Sequence, residues 1–185
     1  MTSPAFDRDV TLPLVELLEL QFSPEELARR LGASVLDIDD THLRAGLYEP
    51  LREFLSRPSK EFRARLVESC WQLSGGTGAV PHRLASMVEV LHAGSLIVDD
   101  IEDASPERRG RPAVHVVHGL SVALNAGNWL YFMAYGLVEQ LGLGPHVELG
   151  LYRWLSRTMA RCHEGQALDL TVRMGLLSQA EVPKL

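Results

Sequence analysis

The sequence predicts an all-α protein, a bundle of antiparallel helices around a central cleft. Three observations carry that expectation. Stretches at 83–103, 120–143 and 146–173 are apolar and long enough for full helices. Ser23-Pro24-Glu25-Glu26 is a helix start, with Ser as N-cap, Pro in the first turn and Glu at the reciprocal capping position. Pro58 divides 47–73 into two helices, the second opening at Ser59. With 185 residues, 46% of them apolar, the chain can bury a sizeable core, and disorder of the bulk is excluded. No run of eighteen apolar residues is present, so no membrane-spanning helix is expected, and the N-terminus has no basic-then-apolar pattern of a signal peptide. Cys70 and Cys162 are far apart and read as free thiols of a cytoplasmic protein.

Taken in order, TLPLVELLEL near the start is a short apolar helix. ELARRLGAS resembles the first half of a helix-turn-helix, but the following Val35–Asp40 carries Asp37, Asp39 and Asp40. Three aspartates in a recognition helix would meet phosphate, so an ordinary helical hairpin is the better assignment. The net charge of −6 likewise opposes a nucleic-acid partner. Residues 1–45 are assigned to an N-terminal helical extension and 46–185 to the main helical domain. In the latter, Lys60 and Arg63 share a helix face at i,i+3, which on spacing alone is a solvated basic edge. SGGTGAVPH at 74–82 departs from the phosphate-binding glycine loop pattern and is a connector. Within the helix at 83–103, His92, Ser95, Asp99 and Asp103 project in nearly the same direction. Asn125, Gly127 and Asn128 sit inside the next helix, where small and amide residues point to close packing. His115 and His118 form an H-x-x-H pair without a nearby third ligand. On the last long helix, Gln166 and Asp169 lie at i,i+3, and Asp169 with Arg173 at i,i+4 reads as an ion pair. Ser178-Gln179-Ala180-Glu181 is a second capping box.

The chemistry concentrates in LHAGSLIVDDIEDASPERRGRPAVHVVHG, residues 91–119. Asp99, Asp100 and Asp103 would crowd one helix face and repel one another. A divalent cation relieves that repulsion, and Mg²⁺ is ordinarily bound by one or two carboxylates plus substrate phosphates. Arg108 and Arg109 supply planar, permanently charged forks for phosphate oxygens. Such a site predicts a diphosphate substrate held through Mg²⁺, and local metal charge makes the acidic net charge no obstacle.

These residues resemble the first aspartate-rich region of the trans-prenyl diphosphate synthases, most closely the eukaryotic-type geranylgeranyl diphosphate synthases. The likeness extends from about Leu47 to about Leu177. It includes DDIED, RRG-x-P, NAGNWLYF and HEGQALDL. The resemblance implies an isoprenoid-synthase-like bundle, of which this chain matches the N-terminal half. It also implies a prenyltransferase that condenses isopentenyl diphosphate with an allylic diphosphate. Asp99, Asp100 and Asp103 would hold Mg²⁺, and with Arg108 stabilise the departing allylic diphosphate. Lys60, Arg63, His92 and Arg109 would hold isopentenyl diphosphate, although Ser59 stands where the family's Gly-Lys-x-x-Arg element has glycine. Gln166 would lie in the cavity near the allylic substrate. Gly94 and Ser95, one turn deeper than Asp99, would leave room for the growing chain. Bulky residues there accompany C15 products in the family, so a C20 product is expected, and Gly94→Phe is expected to shorten it.

The family's Lys-Thr pair, second aspartate-rich motif and closing helices are not found in these residues. The sequence therefore reads as a fragment, as one subunit of a complex that supplies the rest, or as a non-catalytic derivative. Unpartnered apolar helix faces favour dimerisation. A terpene cyclase also ionises prenyl diphosphates with an Asp-Asp-x-x-Asp helix, but it would not need the arginines and Lys60 for a second diphosphate.

Overall fold

In a computed structural model of the chain, residues 13–32, 40–58 and 62–176 are described. They are helical apart from one two-stranded hairpin, as the sequence predicts. Lys60, Ser59, most of the Val35–Asp40 segment and the capping box at 178–181 lie outside the described residues. Helices α1 (Leu14–Gln21) and α2 (Pro24–Leu31) come first. The Oγ of Ser23 accepts from the Glu26 amide at 3.3 Å. The reciprocal half of that box is not used: Glu26 turns its carboxylate to Arg29 and Arg30 instead. Helix α3 (Thr41–Leu43) widens through a π turn at Arg44–Tyr48 into α4 (Glu49–Leu55). Pro58 then separates α4 from α5 (Phe62–Leu73), as expected.

The core is built where α6 (His82–Glu102) packs against α8 (Leu120–Glu139). On α6, Ala85, Ser86, Val90, Ala93 and Ile97 are buried, a helical stripe at three- and four-residue steps. Ala123, Ala126, Leu130, Met133, Ala134 and Leu137 form the matching stripe on α8. The two backbones approach closely because a glycine stands on each side. A Cβ on Gly94 would lie 2.8 Å from the carbonyl oxygen of Gly127, and a Cβ on Gly127 would lie 3.3 Å from the carbonyl oxygen of Gly94. Close packing was the expectation for Gly127, and it holds. Asn125 and Asn128 are instead exposed, because they fall outside the α8 stripe. Helix α1 joins the same core through Leu17 and Leu18. Phe22 follows, its ring tilted against Tyr48 at 5.2 Å and Trp129 at 5.4 Å.

Between α6 and α8 the chain makes strands β1 (Glu107–Arg108) and β2 (Arg111–Pro112), then α7 (Val114–His118). Arg108 pairs with Arg111, so the turn is the two residues Arg109-Gly110. Both have positive φ, 56° and 73°. That is the type I′ combination, whose twist suits a tight hairpin. Residues from Gly142 onward form a second unit built on α9 (Pro145–Arg173). Its Asp169–Arg173 ion pair closes at 2.6 Å. No helix among the described residues is long and apolar enough to cross a membrane, and Cys70 and Cys162 are free and exposed.

Candidate diphosphate site

The three aspartates do not share one open face, as spacing alone suggested. Asp100 continues the buried stripe of Ala93 and Ile97 and is only 1% exposed, whereas Asp99 is half-buried and Asp103 exposed. A carboxylate drawn into a core requires a counter-charge. Arg108 supplies it by folding back over the helix end. Its Nε donates to Asp100 Oδ1 at 2.8 Å, its Nη2 reaches the same oxygen, and Nη2 lies 3.3 Å from Asp99 Oδ2. Hydrogen bonding to Asp100 accordingly raises the pKa of Arg108 above its already high value.

The fold-back needs a sharp stop at the end of α6. Asp103 caps the helix, and Ala104 follows in the left-handed region at φ 50°. The Ser105 amide then bonds the Asp100 carbonyl, and the Ala104 amide bonds that of Ile101. This pair of bonds is a Schellman ending.

Asp100 Oδ2 is buried without a hydrogen-bond partner. A hard cation is one group that would satisfy such an oxygen, and the carboxylate donor set suits Mg²⁺. The described residues contain no ready-made cage of three or more metal-ligating side chains. The arrangement therefore fits a cation held by few carboxylates together with phosphate oxygens from a ligand.

Beside the aspartates stands a cationic cluster. His92, half-buried on α6, has its pKa lowered to about 4, first by burial and then by Arg63, Arg109 and Arg108. Arg63 of α5 and both hairpin arginines thus all act on His92 of α6. Arg109 is half-buried, and desolvation lowers its pKa, with Arg57, Arg108 and Arg63 adding to the shift and Glu89 opposing it. Its guanidinium rests 5.3 Å from the Phe54 ring centre. Such crowding of like charges around a neutral imidazole is costly without an anion between them. A diphosphate is one ligand that would supply that anion.

Of the residues expected in the site, Asp99, Asp100 and Arg108 meet at the α6 end, and His92 lies two turns deeper, where Arg63, Arg109 and Arg108 act on it. Asp103 caps the same helix. Gln166 lies on α9 in the second unit. Gly94 does not face an open path. Its missing side chain is required by α8, where Gly127, Leu130 and Tyr131 would all crowd a Cβ. Ser95 is the exposed member of that pair, its Oγ donating to the His92 carbonyl at 2.9 Å.

Residues 44–181 match the sequence pattern of the polyprenyl synthetase family. The chain belongs to that family. Among the relatives of this chain is a geranylgeranyl pyrophosphate synthase of Eremothecium gossypii, 34% identical over 128 residues. The match covers 67% of this chain and 39% of that protein. Geranylgeranyl pyrophosphate synthase olcC of Penicillium canescens is 33% identical over 132 residues, covering 71% and 38% of the two chains. The chain therefore spans under two fifths of the length of these curated relatives. A crystal structure of a geranylgeranyl pyrophosphate synthase superposes with a TM-score of 0.66 at 27% identity, covering 92% of this chain and 47% of the other. An FPP/GFPP synthase from Zymomonas mobilis gives 0.64 at 26% identity, covering 91% and 61%.

Sequence reasoning missed three residues that build this candidate site. Glu89 is buried, and its Oε1 accepts from the Ala64 amide at 3.1 Å, fixing the first turn of α5 and hence Arg63. A lone acid one turn before His92 on an apolar helix was the available signal. Phe54 floors the arginines. Arg57, just before the helix-breaking Pro58, is 2% exposed despite its charge.

Proposed function

We propose that this polyprenyl synthetase chain is a Mg²⁺-dependent trans-prenyltransferase. It would join isopentenyl diphosphate to an allylic diphosphate and release geranylgeranyl diphosphate. The observation that carries this reading is Arg108 bonded to the carboxylates that end α6, with Arg63, Arg108 and Arg109 all acting on His92 of the same helix. One diphosphate neutralises the arginine cluster, with Arg63 and Arg109 as its forks and neutral His92 donating one N–H. Lys60 joins them on sequence grounds. The second diphosphate belongs to the allylic substrate and lies toward Asp99 and Arg108. Its C–O bond breaks with the electron pair leaving on diphosphate. The isopentenyl double bond attacks the resulting carbocation, and the departing diphosphate takes the proton. Asp99, Asp100 and Asp103 would hold Mg²⁺, which when bound supplies charge stabilisation to the leaving group. Gln166 would lie near the allylic substrate.

The geranylgeranyl pyrophosphate synthases among the relatives support the C20 product. Free thiols at Cys70 and Cys162 fit a cytoplasmic protein. A dimer, or a complex with a chain carrying the family's second aspartate-rich motif, is favoured by exposed apolar side chains on α8, with Phe132 73% exposed.

The test supplies isopentenyl diphosphate with dimethylallyl, geranyl or farnesyl diphosphate, with and without Mg²⁺, and reads product length by mass. Mg²⁺-dependent C20 product that disappears in Asp99→Ala supports the reading. Saturable substrate binding without turnover, with activity restored only by a partner chain, favours the subunit instead. Absence of isopentenyl diphosphate binding while an allylic diphosphate is consumed would favour a terpene cyclase.

A further inference from the structure

The hairpin that carries Arg108 and Arg109 has only two residues in each strand, too little pairing to hold its own shape. Something outside it must fix its position. The candidate is Arg57, whose side chain is 0% exposed and lies at the end of α4. Four guanidinium hydrogen bonds are made there. Nε and Nη2 grip the Glu53 carboxylate at 3.1 and 2.8 Å. Nη1 donates to the Arg108 carbonyl at 2.9 Å, and Nη2 to the Pro112 carbonyl at 2.8 Å. Arg57 therefore holds one residue on each strand, 108 and 112. The contact is returned, since Arg109 Nη1 lies 3.4 Å from the Arg57 carbonyl oxygen. Both guanidiniums lean on the same Phe54 ring, at 5.4 and 5.3 Å. Glu53 also reaches Arg111 at 3.7 Å.

We propose that Arg57 is the positioning residue of the site: a buried fork, seated on Glu53, that clamps the Arg108 and Pro112 carbonyls and so aims Arg108 and Arg109. It does not touch the anion. Its own charge is consumed by Glu53, so its effect on binding passes through the hairpin. Only a planar fork can hold a carboxylate and two carbonyls in divergent directions at once, which lysine's single ammonium cannot do. The inference rests on the functional reading above for the identity of the ligand.

The experiment compares wild type, Arg57→Lys, Arg57→Met and the remote core variant Leu17→Ala, all as the full 185-residue chain. Two quantities are read at a temperature where each is folded. The first is affinity for inorganic diphosphate with Mg²⁺, by calorimetry. The second is the rate of trypsin cleavage after Arg108 and Arg109, which needs no ligand. Clamping predicts that both Arg57 variants bind diphosphate at least about tenfold more weakly, since displacing binding groups by about 1 Å can cost a hundredfold. The hairpin should also be nicked at least about tenfold faster as its local opening becomes easier. Leu17→Ala, even with an equal loss of melting temperature, should change neither. Arg57→Lys that binds and resists trypsin like wild type overturns the proposal, as does Leu17→Ala weakening binding equally. If wild type binds no diphosphate, the functional reading falls, and the clamp is then decided by the trypsin rates alone. Should Arg57→Met fail to fold, Arg57→Lys carries the test.

Discussion

Gly94 offers the sharpest test of how α6 and α8 are held. A methyl group there would meet the Gly127 carbonyl oxygen at 2.8 Å, Leu130 Cβ at 3.1 Å and Tyr131 Cδ1 at 3.2 Å. Ordinary contact begins near 3.4 Å, so the two backbones must separate by 3.4 − 2.8 = 0.6 Å. The nearest atom is backbone, which cannot swing aside. Overpacking of this kind costs about 1–3 kcal/mol. Replacing a mid-helix glycine with alanine returns about 1 kcal/mol of helix propensity, so Gly94→Ala should lose about 0–2 kcal/mol net. That margin alone would be ambiguous. Gly136, on α8 with nothing within 4 Å of its added Cβ, removes the ambiguity. Gly136→Ala gains the same propensity without the clash, so the difference between the two variants isolates the crowding at about 1–3 kcal/mol. For a chain of this size that is roughly 2–12 °C in melting temperature. Melting both variants by circular dichroism decides it. If Gly94→Ala melts at or above Gly136→Ala, the close approach at Gly94–Gly127 is not what fixes this interface. If Gly94→Ala instead melts lower by that margin, Gly94→Phe is to be read as a folding lesion, not as a product-length switch.

Ser95 was expected on the chain-length path together with Gly94 and is the exposed one of the two: Ser95→Phe should leave the melting temperature near wild type while shifting product from C20 toward C15 by mass. Unchanged product length would remove this residue from the chain-length path. Arg109→Asn should separate stability from binding. Asn-Gly is the preferred type I′ turn, relieving about 1 kcal/mol of left-handed strain and offsetting a similar loss of stacking on Phe54, yet diphosphate affinity should drop at least tenfold. Parallel losses in melting and binding would contradict this. His92 should imprint a pH dependence on stability. Its native pKa near 4 lies below the ordinary 6.5, so the unfolded chain takes up the proton first. Stability from this group is full above 6.5, declines as pH falls toward 4, and then levels. Urea titrations of wild type and His92→Gln across this range should differ in slope, and identical slopes would remove His92 from the buried cationic cluster.

What the sequence disclosed and what it concealed divide along a physical line. Periodic apolar runs and helix punctuation are local signals, and they placed the helices on either side of Pro58 as well as the long helices that form the core. Motif chemistry was also local: Asp99, Asp100 and Arg108 are bonded at the end of α6, and Arg63, Arg108 and Arg109 all act on His92 two turns deeper. Burial was harder to read. Asp100 differs from Asp99 by one position, yet a 100° step around the helix carries it into the stripe of Ala93 and Ile97. Its charge then has to be met by Arg108 from eight residues downstream. That answer depends on the path of the intervening loop, and the loop is where sequence rules gave no notice. Its two left-handed non-glycine positions are Ala104 and Arg109, neither of them the glycine or asparagine that ordinarily announces such a backbone. Ala104 turns the chain back from α6 so that Arg108 can reach Asp100. Arg109 closes the hairpin and, on the proposed reading, would present a guanidinium to the anion, something no glycine could do. The strain at Arg109 persists because contacts from outside the loop over-determine it: the Phe54 ring and the Arg57 carbonyl below, the Arg57 fork across both strands. Those contacts come from a part of the chain 51 to 55 residues away, where no motif spacing could link them. An arginine ahead of a helix-breaking proline was visible in the sequence; its burial and the hairpin it holds were not.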